Sequence, residues 1–255
     1  MKHDKINSIV NDEEFFPFWE AIAWSAVQNA VMFGEIDVAE LSNKEVVMAA
    51  IARTLYYLKG DEEDYTQEDE ERGAGEDTSE SSNDTQQDIL WSSSHEPDLK
   101  AQADDFLNRD KSEFATLFYA TWIEHWINRI ILLRLAGERV HENIAASLVR
   151  TSKIELKMGK IWTSLGMPTI EKELLRRVTR VMESRNGFVH YKWPHDEESA
   201  HTDRINRGRV QAQEAKSTVE ALMQLEDDVF YDGRTAAIKE AFKASWKERM
   251  SRDFG

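Results

Sequence analysis

The segment over residues 114–136 constrains the fold most, because it is apolar around nearly its whole helical circumference. A helix that is apolar on every side has to be surrounded by other elements, so it belongs in the middle of a bundle. The chain contains only four prolines and eleven glycines, and few stretches alternate apolar with polar residues. Both features favour helices over strands. The sequence therefore predicts an all-α protein built around residues 114–136.

A single polar stripe runs along this otherwise apolar helix. Thr121, Glu124, His125 and Asn128 recur at positions i, i+3, i+4 and i+7, which places them on one face. Buried polar groups need hydrogen-bond partners, so the stripe should face either a cavity or another polar element. We expect His125 to be a satisfied core residue or a supporting partner of a site rather than a catalyst.

Further helices are predicted from the spacing of apolar side chains and from capping residues. Asp12 can cap the first helix, and Ser42-Asn43-Lys44-Glu45 has the form of a capping box for the second. Thr169 can cap the helix that leads into Arg185. The predicted helices cover about residues 13–33, 44–58, 114–136, 142–165, 170–185, 205–228 and 235–249.

Most of the net charge of the chain, −16, comes from one acidic stretch. Fifteen acidic residues face two basic ones between Lys59 and Asp98, a local charge of −13, which leaves −3 for the rest. Such a stretch buries too little apolar area to offset chain entropy, so disorder is predicted. It can serve as a solvated linker, or as a nucleic-acid mimic that covers a basic groove. The nearly neutral remainder argues neither for nor against nucleic-acid binding.

The residue types needed for metal-free RNA cleavage occur together in Arg185-Asn186-Gly187-Phe188-Val189-His190. A histidine such as His190 can move a proton near neutral pH, and an arginine such as Arg185 can hold a phosphate oxygen while staying charged. Positions five apart on a helix are about 140° apart, so the turn signal Asn186-Gly187 should loosen the backbone and bring the pair together. Asn186 can orient either partner. The simpler interpretation is that Arg185 and His190 only cap a helix end.

This motif resembles the Arg-x4–6-His signature of the HEPN family, in which a polar residue, commonly Asn, follows the Arg. Glu124 and Asn128, on the earlier apolar helix, also resemble residues of that family. The resemblance covers about residues 110–228. In HEPN toxins paired with small nucleotidyltransferases the signature continues as His-x-Tyr, whereas Tyr191 here follows His190 directly, which places that pairing in doubt.

The resemblance implies a helical bundle that forms a homodimer, with two Arg185–His190 pairs meeting in one composite site. It also implies metal-independent endonucleolytic cleavage of RNA that leaves a 2′,3′-cyclic phosphate. Such proteins act as toxins of toxin–antitoxin modules or as antiviral effectors, so an antitoxin or sensor protein encoded nearby is an expected partner. The competing hypothesis is a catalytically inactive HEPN-like module that binds nucleic acid or a partner protein and regulates an associated effector.

Several residues near the motif are candidates for holding RNA. Arg176 and Arg180 can contact phosphates, although solvated helix faces look the same, and Lys192 and Trp193 follow the motif, where the indole can stack on a base. No cofactor is implied. No metal site is expected either, because His190, His195 and His201 lack the spacing of helical ligand pairs.

The expected organisation is a helical region over 1–58 packed on the bundle, an acidic, disordered segment over 59–109, an HEPN-like four-helix bundle over 110–232, and a C-terminal helix over 233–255. Cysteine is absent, and no apolar run approaches the roughly 20 residues of a membrane-spanning helix. The N-terminus also lacks the layout of a secretory signal. These features predict a cytoplasmic protein.

Overall fold

The computed structural model describes residues 16–50, 52, 95–189 and 199–254. Within them, side chains are described over 24–50, 52, 95–189 and 205–245. The described residues form helices, turns and loops but no strand, so the all-α prediction is confirmed. They divide into two compact units.

One unit combines helices from both ends of the chain. It contains most of α1 (Phe16–Met32), α2 (residues 43–50) and most of α9 (Thr235–Phe254). Lys239 Nζ lies 4.6 Å from the centre of the Trp24 ring, which links the two terminal helices by a cation–π contact. The predicted N-terminal region and C-terminal helix therefore share a unit.

The capping box predicted before α2 is present. Ser42 N–H donates to Glu45 Oε2 at 2.8 Å, and Glu45 N–H donates to Ser42 Oγ at 3.4 Å. The inner face that follows is buried at Val46, Val47 and Ala50, as the apolar spacing predicts. Here the local sequence specifies both where the helix begins and which face is covered.

The other unit holds the described residues from 95 to 235, together with Met32–Glu35. Its helices are α3 (Glu96–Asn108), α4 (Ser112–Gly137), α5 (Glu142–Thr151), α7 (Lys172–Val189) and α8 (Ser199–Tyr231). A mixed helix, α6, lies between α5 and α7. It consists of α-helical Ile154–Leu156, π-helical Lys157–Ile161 and α-helical Trp162–Ser164.

Helix α4 lies at the centre of this unit and contacts α3, α5, α7, α8 and the π-helical turn. Most of its apolar side chains are buried around the helix, as predicted, although Phe114 near its start is 45% exposed. The large buried side chains include Tyr119, Trp122, Ile123, Trp126, Ile127, Ile130 and Ile131. Trp126 stacks on Trp162 of α6 with ring centres 5.9 Å apart, and Trp162 Nε1 donates to Pro168 O at 2.6 Å. These contacts fix α6 against the central helix.

A buried ionic network crosses the interior of the same unit. Arg129 Nε donates to Glu96 Oε1 at 2.7 Å, and Arg129 Nη2 donates to Glu96 Oε2 at 2.9 Å and to Glu226 Oε2 at 2.8 Å. Trp126 Nε1 also donates to Glu226 Oε2, at 2.6 Å. The guanidinium thus joins α3, α4 and α8, and the full set of hydrogen bonds is what makes burial of these charges tolerable.

Helix α3 differs from the prediction, because it lies inside the segment 59–109 expected to be disordered. It begins at Glu96 with Pro97 in its first turn, and it buries Ala103 and Leu107. The acidic composition of the longer stretch conceals this amphipathic part. From composition alone, Glu96 is expected to be one more solvated carboxylate. In the structure it is a buried partner of Arg129.

The helix predicted over 142–165 is interrupted. Ser152 and Lys153 adopt extended backbone conformations, with ψ values of 136° and 156°, before α6 begins. Apolar spacing continues across the interruption, so a pattern of apolar residues alone could not reveal it. No described helix combines the length and apolar composition needed to span a membrane.

Candidate active site

Arg185 lies near the C-terminal end of α7 and faces the polar stripe of α4. It forms an ion pair with Glu124. Its Nη2 and Nε atoms donate to Asn186 Oδ1 at 3.2 and 3.4 Å. The Arg185 side chain is 22% exposed and that of Glu124 38%, so the pair borders solvent. Three of the predicted site residues, Arg185, Asn186 and Glu124, are therefore in contact.

The predicted loosening of the backbone at Asn186-Gly187 is wrong. Helix α7 continues through both residues to Val189. A Cβ atom added at Gly187 would meet nothing within 4 Å, so neither close packing nor an unusual φ requires glycine there. A turn propensity at these two residues is overridden by the helix that contains them.

The other half of the motif cannot be placed against Arg185. His190, Lys192 and Trp193 lie outside the described residues. The roles expected for them, in proton transfer and in RNA contacts, remain sequence-based predictions.

The polar stripe finds a further partner in Lys157, on the π-helical turn of α6. Lys157 Nζ donates to Asn128 Oδ1 at 2.7 Å. The residue is only 6% exposed. Burial lowers the pKa of Lys157, and attraction to the nearby Glu124 carboxylate offsets part of this effect. The predicted supporting residue Asn128 is thus held by a buried cation.

Sequence reasoning did not identify Lys157, although one signal pointed to a partner of this kind. The stripe on α4 required a polar partner. The π-helical turn could not be foreseen. Such turns are rare and occur frequently at functional sites.

We refer to Glu124, Asn128, Lys157, Arg185 and Asn186 as the Glu124 cluster. Its two cations outnumber its one carboxylate, and its amides add hydrogen-bond donors. This is a suitable environment for a phosphate group and an unsuitable one for a metal cation. Within the described part of the chain, no group of three histidine or acidic side chains could hold a metal ion.

The arginines of α7 that were predicted to hold phosphates are paired with protein groups. Arg176 forms an ion pair with Glu173, and Arg180 forms ion pairs with Glu214 of α8 and with Glu173. Both arginine side chains are largely exposed. Exposed pairs of this kind are weak, so an RNA phosphate can replace the carboxylate at modest cost.

The expectation that His125 is a satisfied core residue is wrong. Its side chain is exposed, and its ring lies 6.5 Å from that of His95 in an edge-to-face arrangement. Thr121, at the other end of the stripe, donates to Leu117 O of its own helix at 2.9 Å.

Comparison with known proteins identifies no relative of this chain. The sequence matches no family model, and no match is found among curated proteins or among solved structures.

Proposed function

We propose that this chain is a metal-independent RNA endonuclease of the HEPN type. The observation that carries the proposal is the contact of Arg185 with Glu124 and Asn186, on a face that also holds Asn128 and Lys157. A guanidinium fixed by two partners is oriented before the substrate arrives. Such preorganisation is what stabilises developing charge on a phosphate effectively.

The roles follow from the chemistry of each group. Arg185 stabilises the negative charge that builds on the phosphorus centre, and His190 transfers the proton of the ribose 2′-hydroxyl or of the leaving oxygen. Attack by the 2′-oxygen forms the new P–O bond while the bond to the 5′-oxygen breaks, which leaves a 2′,3′-cyclic phosphate. A homodimer supplies two such pairs to one composite site. The biological setting we propose is a toxin or antiphage effector controlled by an antitoxin or sensor protein.

The experiment compares RNA with DNA of the same sequence. Purified protein is incubated with a mixed RNA pool in the presence of EDTA, and the product ends are analysed by mass spectrometry. Cleavage of RNA alone, with cyclic phosphate ends, is the expected result, and Arg185→Ala should abolish it. An uncut RNA pool, or cleavage that persists in the variant, contradicts the proposal.

For a second candidate, an inactive module that binds nucleic acid or a partner protein, one observation favours the version that binds a protein. Arg176, Arg180 and Arg185 each form an ion pair with a carboxylate, which reduces the positive charge offered to RNA. If this candidate is correct, Arg185→Ala and His190→Ala should change the binding of nucleic acid or of the partner protein without changing cell growth. The ribonuclease instead requires growth arrest by the wild type and none by either variant, so expression in cells separates the two.

A further inference from the structure

We propose that Lys157 is a positioning residue of the Glu124 cluster, which acts by turning the amide of Asn128 so that its nitrogen donates to a phosphodiester bound at Arg185. The inference rests on the proposed function, because it specifies how that site recognises its substrate.

The chemistry of the Lys157 ammonium determines which atom of Asn128 faces it. An ammonium group has hydrogens to donate and no lone pair to accept with, so only the amide oxygen can lie against it. The 2.7 Å contact between Lys157 Nζ and Asn128 Oδ1 therefore determines the orientation of the amide. The nitrogen is left on the opposite side, and no acceptor for it is found among the described residues.

Lys157 is held in place by the helix that contains it and by burial. It is the first residue of the π-helical turn Lys157–Ile161, and Trp162 directly after that turn is fully buried against Trp126. The lysine is itself 6% exposed, so its side chain has little freedom. A buried donor anchored in this way fixes the rotamer of Asn128 more firmly than an exposed lysine would.

The amide of Asn128 lies on the helix face that carries the proposed phosphate site. Asn128 lies one helical turn after Glu124 on the same face of α4, and Glu124 binds Arg185. The amide nitrogen and the guanidinium are both donors, and two donors on one face suit the two free oxygens of a phosphodiester. Lys157 contributes by orientation, because its own ammonium is covered by protein.

The experiment measures binding of a non-cleavable 2′-O-methyl RNA, so the readout does not depend on cleavage. The variants are Lys157→Met, Asn128→Ala and the double variant. Lys160→Met is the matched control, because Lys160 lies on the same π-helical turn with an exposed side chain. Each test variant should weaken binding about tenfold, whereas Lys160→Met should leave it within about twofold of wild type.

Two features of the result identify a positioning role. The double variant should bind RNA no more than about twofold more weakly than the single variant with the lower affinity. The reason is that Lys157→Met and Asn128→Ala both remove the same donor, the oriented amide nitrogen of Asn128. The dependence of log Kd on log salt should keep its slope in Lys157→Met but lose about 0.7 in Arg185→Ala, since the arginine is the one of these two cations that contacts phosphate. The inference is overturned if the losses of RNA affinity in the two single variants multiply in the double variant. It is also overturned if Lys157→Met reduces the slope of log Kd against log salt.

The remaining outcomes are also decisive. If Lys157→Met binds RNA as tightly as Lys160→Met, the inference fails. The ribonuclease proposal still stands in that case, provided that the wild type cleaves RNA. If the wild type binds RNA without cleaving any, the ribonuclease proposal fails and the inference is judged from binding. Absence of binding and cleavage overturns both. Should Lys157→Met not fold, unchanged binding by Asn128→Ala overturns the inference by itself.

Discussion

Arg185, near the end of α7, forms an ion pair with Glu124 in the middle of α4, and both side chains border solvent. The carboxylate has two opposing effects on any phosphate that approaches. It holds the guanidinium in position, which favours chemistry on a bound substrate, and it repels the phosphate, which weakens binding. These effects separate when the charge of Glu124 is removed and its shape is kept.

Glu124→Gln should therefore tighten RNA binding several-fold at low salt, and the gain should shrink at high salt as screening increases. The amide oxygen can still accept one hydrogen bond from Arg185. Fluorescence anisotropy with a non-cleavable RNA measures the change. Glu138→Gln, at the exposed C-terminal cap of the same helix, is the control and should have little effect. Weaker binding by Glu124→Gln would show that the carboxylate itself contacts the RNA or its water.

Gly187→Ala should stabilise the protein, because α7 is helical there and the site has room for a methyl group. The expected gain in free energy of unfolding is roughly 0.5–1 kcal/mol. Gly166→Ala is the matched comparison, since that site is equally open but has φ of +77° and should be destabilised. Urea unfolding followed by circular dichroism measures both. Loss of stability in Gly187→Ala would indicate a turn instead of a helix.

Arg129→Ala should be strongly destabilising, because it leaves Glu96 and Glu226 without their shared buried partner. Removing one member of a buried ionic network typically costs about 3–5 kcal/mol. Chemical denaturation of the variant provides the measurement. Arg150→Ala, at an exposed position on α5, should change stability by less than about 0.5 kcal/mol. Similar losses in the two variants would rule out a structural role for the network.

Asp104 should make stability depend on pH in the acid range. Burial disfavours its charge, but hydrogen bonds from Lys100, Tyr119 and Lys216 outweigh this and lower the pKa of Asp104 to about 2, from an ordinary 3.8. Because the folded-state pKa is the lower one, the contribution is fully present above about pH 4 and is lost as the pH falls towards 2. Its size is at most about 2 kcal/mol, because solvent screens part of the interaction at this partly exposed group.

Asp104→Asn tests this relation through unfolding free energies measured across that pH range. The variant should be less stable than wild type at neutral pH, and the difference should vanish as the pH approaches 2. Asp110→Asn is the control, because Asp110 is exposed and asparagine tolerates its φ of 58°. A pH-independent difference for Asp104→Asn would mean that packing, and not ionisation, causes the loss.

The parts of the fold that the sequence predicts well are those set by local pattern. The capping box at Ser42 and Glu45 depends on residues three apart, and burial of α4 depends on its own apolar side chains. The helix that begins at Glu96 was not predicted, because the burial of Glu96 depends on Arg129, a residue 33 positions away. Composition averaged over a long acidic stretch cannot detect such a partner.

The same distinction applies to the candidate site. Arg185, Asn186 and Glu124 were predicted as site residues, and they are in contact. Lys157 was not predicted, because its contact with Asn128 depends on a π-helical turn that no local pattern specifies. The turn propensity of Asn186-Gly187 led to the incorrect prediction of a loosened backbone there. It is a local preference, and a helix with a buried face at Val178, Val181 and Met182 overrides it.

The most direct test of the ribonuclease proposal is the rate of RNA cleavage by His190→Ala compared with wild type. His195→Ala is the control, because His195 is a nearby histidine with no proposed role. Loss of a positioned acid or base should slow cleavage by about 10²–10⁴, with binding of non-cleavable RNA and the unfolding temperature unchanged. His195→Ala should cleave at the wild-type rate. Equal cleavage by wild type and His190→Ala, or none by wild type, would contradict the proposal.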